Sequence, residues 1–462
     1  VTENAILFTR WPEPGKAKTR LAPALGPEGA ANLHRRLTEH ALAGLRACRD
    51  ERGAEPHVYF AGHSAARFRD WLGTDLAYRR QSTGDLGVRL RAATTASFAG
   101  GARRVIVTGS DCPGVTASLL SQAFRSLAFC DLVLGPATDG GYYLIGMNKP
   151  HEALFSRMPW GTEDVFEETR RRARTAGLRV ALLPPLADID RPADLPVWHA
   201  AQRHPAPAAP RLSVVIPALE EPARVEACLA SVEPCEDVEA VVVHGAGDEQ
   251  TPARANRAGA LVVPCGPGRG RQMNAGAAVA AGAYLVFLHA DTRLPAGWRT
   301  AVEDILGDSD VSLGAFRLGI DNPGRALRAV DWLVDLRARW WGLPYGDQAL
   351  FLRRTVFEDL GGYRDWPLLE DLDLVRRARR LGRVRTARSA VATAADRWTR
   401  LGVWRTTWTN QLVLAGYALG VSPARLARWY RCAGDRGARV PPSTQSEAPR
   451  EPGSVRAPEH EG

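Results

Sequence analysis

The sequence predicts two α/β domains in tandem. Three observations carry that reading. Short apolar strand-like runs alternate with helical patterns along the chain, each half opens with a buried strand followed by a polar loop, and a Pro-rich stretch lies between the halves. Continuous apolar strands alternating with helices imply a parallel sheet covered on both faces. At about 150 residues per domain, 462 residues suit two or three domains. A composition of 45% hydrophobic and 24% charged residues excludes collagen-like, coiled-coil and mainly disordered chains.

In the first half the strands read Ala5-Ile6-Leu7-Phe8, Val58-Tyr59-Phe60, Val105-Ile106-Val107, Leu132-Val133-Leu134 and Val180-Ala181-Leu182-Leu183. Helical patterns fall over Gly29–Arg49, Leu86–Phe98, Ala117–Leu127 and Thr162–Ala176. Residues 203–211, Arg-His-Pro-Ala-Pro-Ala-Ala-Pro-Arg, cannot continue a helix and favour an extended spacer. The second half has strands Leu212–Pro217, Ala240–Val243, Leu261–Val263 and Tyr284–Leu288, with helices Pro222–Val232, Thr251–Ala258, Arg269–Ala281 and Leu372–Leu381. The expected domains are thus 1–202 and 212–435, joined by 203–211. The tail 436–462, rich in Pro, Ser, Glu and Arg, is expected to be disordered.

The seven cysteines fall at 48, 112, 130, 228, 235, 265 and 432, with no C-x-x-C pair, so zinc-ribbon and thioredoxin-like sites are not expected. Irregular spacing suits reduced thiols in a cytoplasm. The opening Val1-Thr2-Glu3-Asn4 lacks a basic region, and no signal peptide is expected. No apolar stretch is long enough to span a bilayer. The net charge of +9 comes almost wholly from Arg, with Lys only at 16, 18 and 149. Without a Lys/Arg block or an aromatic RNA-binding motif, the charge does not predict nucleic-acid binding.

Ligands of open α/β sheets bind beyond the carboxyl ends of the strands. There the second half places His289-Ala290-Asp291-Thr292, where a carboxylate can hold a divalent cation against a diphosphate or simply cap a turn. Leu369-Glu370-Asp371-Leu372 brings acids to a helix start, as dipole partners or as a general base for an attacking hydroxyl.

With Val215-Ile216-Pro217-Ala218-Leu219-Glu220-Glu221, Gly268 through Gly276, Leu288 through Thr292, Gly346-Asp347-Gln348 and Glu370-Asp371 in order, residues 212–430 resemble a family 2 glycosyltransferase of the GT-A fold. The nearest branch is "transferase 2, rSAM/selenodomain-associated". The resemblance implies inverting transfer from a nucleotide-diphosphate sugar to an unknown acceptor. Asp291 would hold Mg²⁺ or Mn²⁺, Asp371 would be the base beside Glu370, and Asp347 and Gln348 would line the acceptor side. Pro217, Glu220, Asp248, Arg271, Asn274, Arg397 and Trp398 would border the donor. The family commonly carries a carboxylate at the place of His289, and an Asp at the place of His244. A neutral imidazole at 244 is expected to donate to a base carbonyl. The Trp- and Arg-rich segment Arg397–Arg431 has two readings: a helix packed on the domain, or a peripheral contact with a membrane surface where a lipid or isoprenoid acceptor waits.

In the first half, Thr9-Arg10-Trp11-Pro12-Glu13-Pro14-Gly15-Lys16-Ala17-Lys18-Thr19-Arg20 sets four cations around a glycine, which suits a polyphosphate, though the spacing is not a P-loop. Asp111 follows one strand in Thr108-Gly109-Ser110-Asp111-Cys112-Pro113, and Asp190 follows another; two such acids can share one Mg²⁺. Residues 5–198 are similar to the DUF2064 family ("transferase 1, rSAM/selenodomain-associated"), itself similar to the guanylyltransferases of molybdopterin cofactor synthesis. The resemblance makes Asp111 and Asp190 metal acids, gives Arg10, Lys16, Lys18 and Arg20 a triphosphate, and puts Gln81 and Gly84 near the nucleobase. The reaction implied joins a substrate phosphate to the α-phosphate of a nucleoside triphosphate. The alternative is a non-catalytic nucleotide-binding or docking module.

Overall fold

The computed structural model describes residues 2–203, 211–235, 237–245, 247–320, 344, 346–394 and 403–435. The chain divides into two compact units, residues 1–395 and residues 396–462. Among the described residues, the first holds fifteen strands in one sheet. They are β1 (Glu3–Arg10), β2 (Glu55–Ala61), β3 (Ala77–Arg80), β4 (Arg104–Thr108), β5 (Leu132–Pro136), β6 (Tyr142–Met147), β7 (Val180–Leu182), β8 (Leu212–Ala218), β9 (Val238–His244), β10 (Leu261–Pro264), β11 (Tyr284–Phe287), β12 (Thr292–Arg293), β13 (Val311–Ile320), β14 (Leu350–Arg353) and β15 (Arg383–Thr393). Their spatial order is β12-β15-β13-β14-β11-β8-β9-β10-β7-β5-β6-β4-β1-β2-β3.

β1 and β8 are central strands of their halves, and apart from the half-buried Phe8 their apolar residues are buried on both faces, as the unbroken apolar runs require. β1, β2, β3 and β4 are parallel, as are β8, β9, β10 and β11. The sheet is nonetheless mixed. β6 runs antiparallel between β4 and β5, because only five residues separate β5 from β6 and a short turn can join only antiparallel neighbours. β14 is antiparallel to β11 and β13.

The helices keep their expected places. Helix Ala22–Arg52 starts about two turns earlier than its periodicity suggests, bending at Gly26 (φ 71) before Pro27. Side chains of Ser64, Asp85 and Thr116 accept from the first turns of helices Ala65–Leu72, Leu86–Ala99 and Ala117–Ser126.

The two halves form one sheet, with no gap between them. β7 pairs antiparallel with β10 at Leu182 and Val262, so the edge that each half would expose is covered by the other. The Asn256 amide donates to the Leu183 carbonyl at 2.7 Å, and Arg125 Nε donates to the Val279 carbonyl at 3.0 Å. Glu239 accepts from Gln122 Nε2 at 2.5 Å and also from Gly282 N–H at 3.1 Å. Arg174, near the end of helix Val165–Thr175, pairs with Glu249. One apolar cluster runs through both halves, including Leu127, Ala181 and Leu183 with Val241, Val243 and Leu261. Of the expected spacer, residues 204–210 lie outside the described residues.

The second unit shows helices Val403–Ala418 and Pro423–Asp435 meeting where Gly416 abuts Leu426. Trp408, Leu412, Leu419, Val421 and Trp429 are exposed, while Val413, Leu426 and Ala427 are buried. Among the described residues, no helix is long and apolar enough to cross a membrane. Arg397, Trp398 and the tail 436–462 lie outside the described residues.

Candidate active sites

In the first half a cleft of about 400 Å³ opens at the carboxyl ends of β1 and β4. Arg10, Lys16, Lys18, Arg20, His34, Gln81, Arg89, Asp111 and Asp190 all line it. The loop after β1 turns back through Lys18, a non-glycine residue held at φ 49 and ψ 45. Its ammonium lies 2.7 Å from Asp190 Oδ1 and 3.0 Å from Asp111 Oδ1, and its side chain is only 5% exposed. The two acid-bearing loops are fixed to each other, since Ile189 N–H donates to the Asp111 carbonyl at 2.9 Å. Burial alone would lower the Lys18 pKa; the two carboxylates outweigh it and hold the ammonium above its ordinary value. Arg20 reaches Asp190 Oδ2 at 3.4 Å from the solvent side.

Lys16 pairs with Glu13 at 2.8 Å and is largely exposed, and Arg10 donates to the Lys16 carbonyl at 3.2 Å. Gln81 Nε2 donates to the carbonyls of Thr9 and Tyr59 at 3.0 and 2.9 Å, which commits the amide nitrogen to bracing β1 and β2. Gly84, at φ 120, gives its carbonyl to Arg89. His34 and Arg89 are cleft residues that the sequence reading missed. His34 sits on an amphipathic helix at a buried position, where its type signals core as readily as site. Its Nε2 is 3.1 Å from the Arg10 carbonyl, which can only accept, so the proton sits there and Nδ1 turns its lone pair toward Asp111 Oδ1, 4.0 Å away. Burial keeps this imidazole neutral.

In the second half a cleft of about 350 Å³ lies beyond β8 and β11, lined by Pro217, Leu219, Glu221, Gly268, Arg269, Gln272, His289 and Asp291 among others. Gly268 (φ 129) opens helix Arg269–Val279, whose first-turn N–H groups suit an anion at this wall. Arg269 Nη1 stands 3.6 Å from Glu370 Oε1, joining the cleft to the acid pair. Glu370 and Asp371, both buried, begin helix Glu370–Ala378. Asp371 Oδ1 is buried without a hydrogen-bond partner, and Oδ2 rests against Gly346, where a Cβ would collide with the carboxylate. Burial first, then the charge of Glu370, pushes the Asp371 carboxyl up to about 8; Arg269 opposes the rise and Asp347 adds to it. The buried Tyr363 hydroxyl and His289 Nε2 also lack partners among the described residues. Burial, then Arg269, pushes His289 down to about 3, so its ring is neutral.

Other expected residues are used differently. Arg271 pairs with Asp365 at 2.6 Å on the surface. Asn274 locks the loop that leads to helix Glu370–Ala378, donating to the Tyr363 carbonyl at 2.7 Å and accepting from Tyr363 N–H at 2.8 Å. Asp248 accepts from Gln250 and Thr251 at the start of helix Gln250–Arg257, and Glu220 (φ 51) sits beside Gly247. Gln348 is fully buried and donates to the Phe316 carbonyl at 2.9 Å, while Asp347 on the same turn acts on Asp371 through its charge. His244 reverses one expectation. Its Nδ1 is 2.9 Å from the Gly245 carbonyl and must hold the proton, which leaves Nε2 as an acceptor.

The two sites differ as cation seats. In the first, both carboxylates already point at one positive charge, so the residues fit a divalent ion. In the second, Asp291 stands two residues from His289 in a cleft that Glu221 also lines, which fits an ion completed by substrate phosphate. Among the described residues, no three His, Cys, Asp or Glu side chains gather as a ready-made metal cage.

Residues 44–162 match the family described as "uncharacterized protein conserved in bacteria (DUF2064)", and residues 213–363 match "glycosyl transferase family 2". A candidate nucleotide-diphospho-sugar transferase from Desulfovibrio desulfuricans is 35% identical, over 45% of this chain and 90% of its own, with a TM-score of 0.42. A mannosyltransferase from Pyrobaculum calidifontis, solved with GDP-Man and Mn²⁺, is 19% identical over 54% of this chain and 84% of its own, with a TM-score of 0.36. Glucosyl-3-phosphoglycerate synthase from Mycobacterium tuberculosis, solved with Mn²⁺, UDP-glucose and phosphoglyceric acid, is 22% identical over 41% and 73%, with a TM-score of 0.32. No curated protein matches the chain at a significant level. The second half thus carries a region that matches glycosyl transferase family 2, from β8 to the Tyr363 loop, and the first half carries a DUF2064 region.

Proposed function

We propose that the second half transfers a sugar from a nucleotide diphosphate to an acceptor hydroxyl with inversion at the anomeric carbon. The observation that carries this is the link from cleft to base: Asp291 and Arg269 line one cleft, and Arg269 reaches the buried Glu370–Asp371 pair. Asp371 takes the proton as the hydroxyl oxygen attacks, and the bond from the anomeric carbon to the diphosphate breaks on the opposite face. Asp291 would hold Mg²⁺ or Mn²⁺ with the donor's phosphates; the ion supplies charge neutralisation to the leaving diphosphate. Arg269 and the helix start at Gly268 add fixed positive charge. With its proton on Nδ1, His244 suits a base edge that offers an N–H. The test is a thermal shift with UDP, GDP, CDP and dTDP sugars, with Mn²⁺ or EDTA. A metal-dependent shift for one base, lost in Asp291→Asn, is expected; no shift from the folded chain would sink the reading.

The first-half cleft is proposed as a nucleoside triphosphate site. There a phosphate oxygen of a phosphorylated substrate would attack the α-phosphorus and pyrophosphate would leave, chemistry that rests on positioning and charge neutralisation. Arg10, Lys16, Lys18 and Arg20 around Asp111 and Asp190 support it. Nucleotide binding without pyrophosphate release would instead favour a docking module. Exposed Trp408, Leu412, Leu419 and Trp429 favour a second reading for the last unit, peripheral contact with a membrane surface. Flotation of the whole chain with anionic liposomes, lost on removing 397–462, tests it.

A further inference from the structure

The position of Lys18 carries a consequence for how the first-half cleft loads. Its ammonium is 2.7 Å from one carboxylate and 3.0 Å from the other, almost out of solvent, at the end of a backbone turn few non-glycine residues adopt. A divalent ion sharing Asp111 and Asp190 would need oxygens about 2.0–2.6 Å away. That places it in the volume the ammonium now fills. The ion pairs of Asp111 and Asp190 on the cleft side run to Lys18, with Arg20 at 3.4 Å on the outer oxygen of Asp190. Lysine is unbranched and mobile, and Arg10, Lys16 and Arg20 line the same cleft, so phosphate bound there would lie within its reach.

We propose that Lys18 is an internal counter-ion which a divalent cation must displace, so that metal enters the first-half site together with the phosphates that receive the lysine. The proposal rests on reading this cleft as a polyphosphate site. Metal and phosphate are then positively coupled: each makes room or charge for the other, and by linkage the effect is reciprocal. A free cation competes with Lys18, whereas a cation arriving with phosphate does not.

The experiment uses the full chain carrying Asp291→Asn, which removes the acid proposed to hold a second ion. Binding of Mn²⁺ alone is read by electron paramagnetic resonance, and melting temperature is followed with inorganic tripolyphosphate. Lys18→Met and Lys18→Gln are expected to bind free Mn²⁺ about 5–150-fold more tightly than the parent, the usual range for linked sites. Mn²⁺ is expected to raise their melting temperatures more than the parent's. Lys18→Arg, which keeps the charge, is expected to stay near the parent. A variant that folds only with Mn²⁺ present would also support the proposal. Unchanged or weaker Mn²⁺ binding in folded Lys18→Met and Lys18→Gln, with tripolyphosphate still stabilising the parent, would overturn this inference and leave the polyphosphate reading in place. No stabilisation by tripolyphosphate, with or without Mn²⁺, would overturn both.

Discussion

Each half sets two acids beside a strand-end cleft, and the pairs are treated in opposite ways. In the first half Asp111 and Asp190 share the Lys18 ammonium at 3.0 and 2.7 Å. In the second, Glu370 and Asp371 are adjacent and buried, and Arg269 stands 3.6 Å from Glu370. Two carboxylates turned on one positive charge suit a seat for cations and phosphates. Burial beside a like charge holds a proton on Asp371 up to about pH 8, which suits proton transfer. On the proposed reading, the same residue types serve binding in one half and base chemistry in the other, and their neighbours decide which.

The largest effect that would break this contrast is at Asp371. Asp371→Asn is expected to cut the rate of nucleotide release from the sugar donor by about 10²–10⁴-fold. The same change is expected to raise the melting temperature at pH 8. A carboxyl raised from 3.8 to about 8 binds its proton more tightly in the folded chain, so folding stability falls as pH climbs between those values. The amide removes that loss. A large rate loss without a gain in stability would mean that the acid is not held protonated as described. Gly346→Ala should approach the same rate loss without altering any ionisable group, because the new methyl collides with the carboxylate.

Asp291→Asn comes next. It is expected to abolish metal-dependent stabilisation by the donor nucleotide, about 2.7 kcal/mol at a ligand concentration 100 times its dissociation constant. Scanning pH sharpens the comparison further. The second-half kcat/KM should rise with pH through about 8, because Asp371 must lose its proton before it can accept one. A profile flat from pH 6 to 9 would remove Asp371 as the base. Smallest of all, Arg271→Ala should leave nucleotide affinity unchanged, since its guanidinium is spent on Asp365, whereas Arg269→Ala should weaken it.

Much of this was legible in the residues. The strands with unbroken apolar runs, β1, β8 and β11 among them, and the helix Pro222–Val232 fall where the pattern places them, because burial on both faces leaves one consistent reading. β3, with Tyr-Arg-Arg, and β15, rich in Arg, did not read as strands; they draw their partners from neighbouring strands, so their own composition carries little signal. The antiparallel seam of β7 with β10 was hidden for another reason: both runs read as strands, but an apolar run does not say which strand it pairs with. At the sites, strand-end acids were readable from position alone. The choice between Arg269 and Arg271 was not: they sit two apart on one helix, so only the fold decides that one faces Glu370 and the other Asp365. His34 and the tautomer of His244 depend on carbonyls that the sequence does not locate.

The seam has a genetic consequence. Because β7 and β10 zip the halves through backbone pairing, and one apolar cluster spans both, the covalent connection between them is not what holds them together. Two separate reading frames, one encoding residues 1–203 and the other 211–462, should therefore complement when expressed in the same cell. Each alone would leave a sheet edge and part of a shared core uncovered, a liability for aggregation. Selection on either half is then constrained by the surface of the other, and a domain exchange that ignores the seam should fail even when both clefts are left intact.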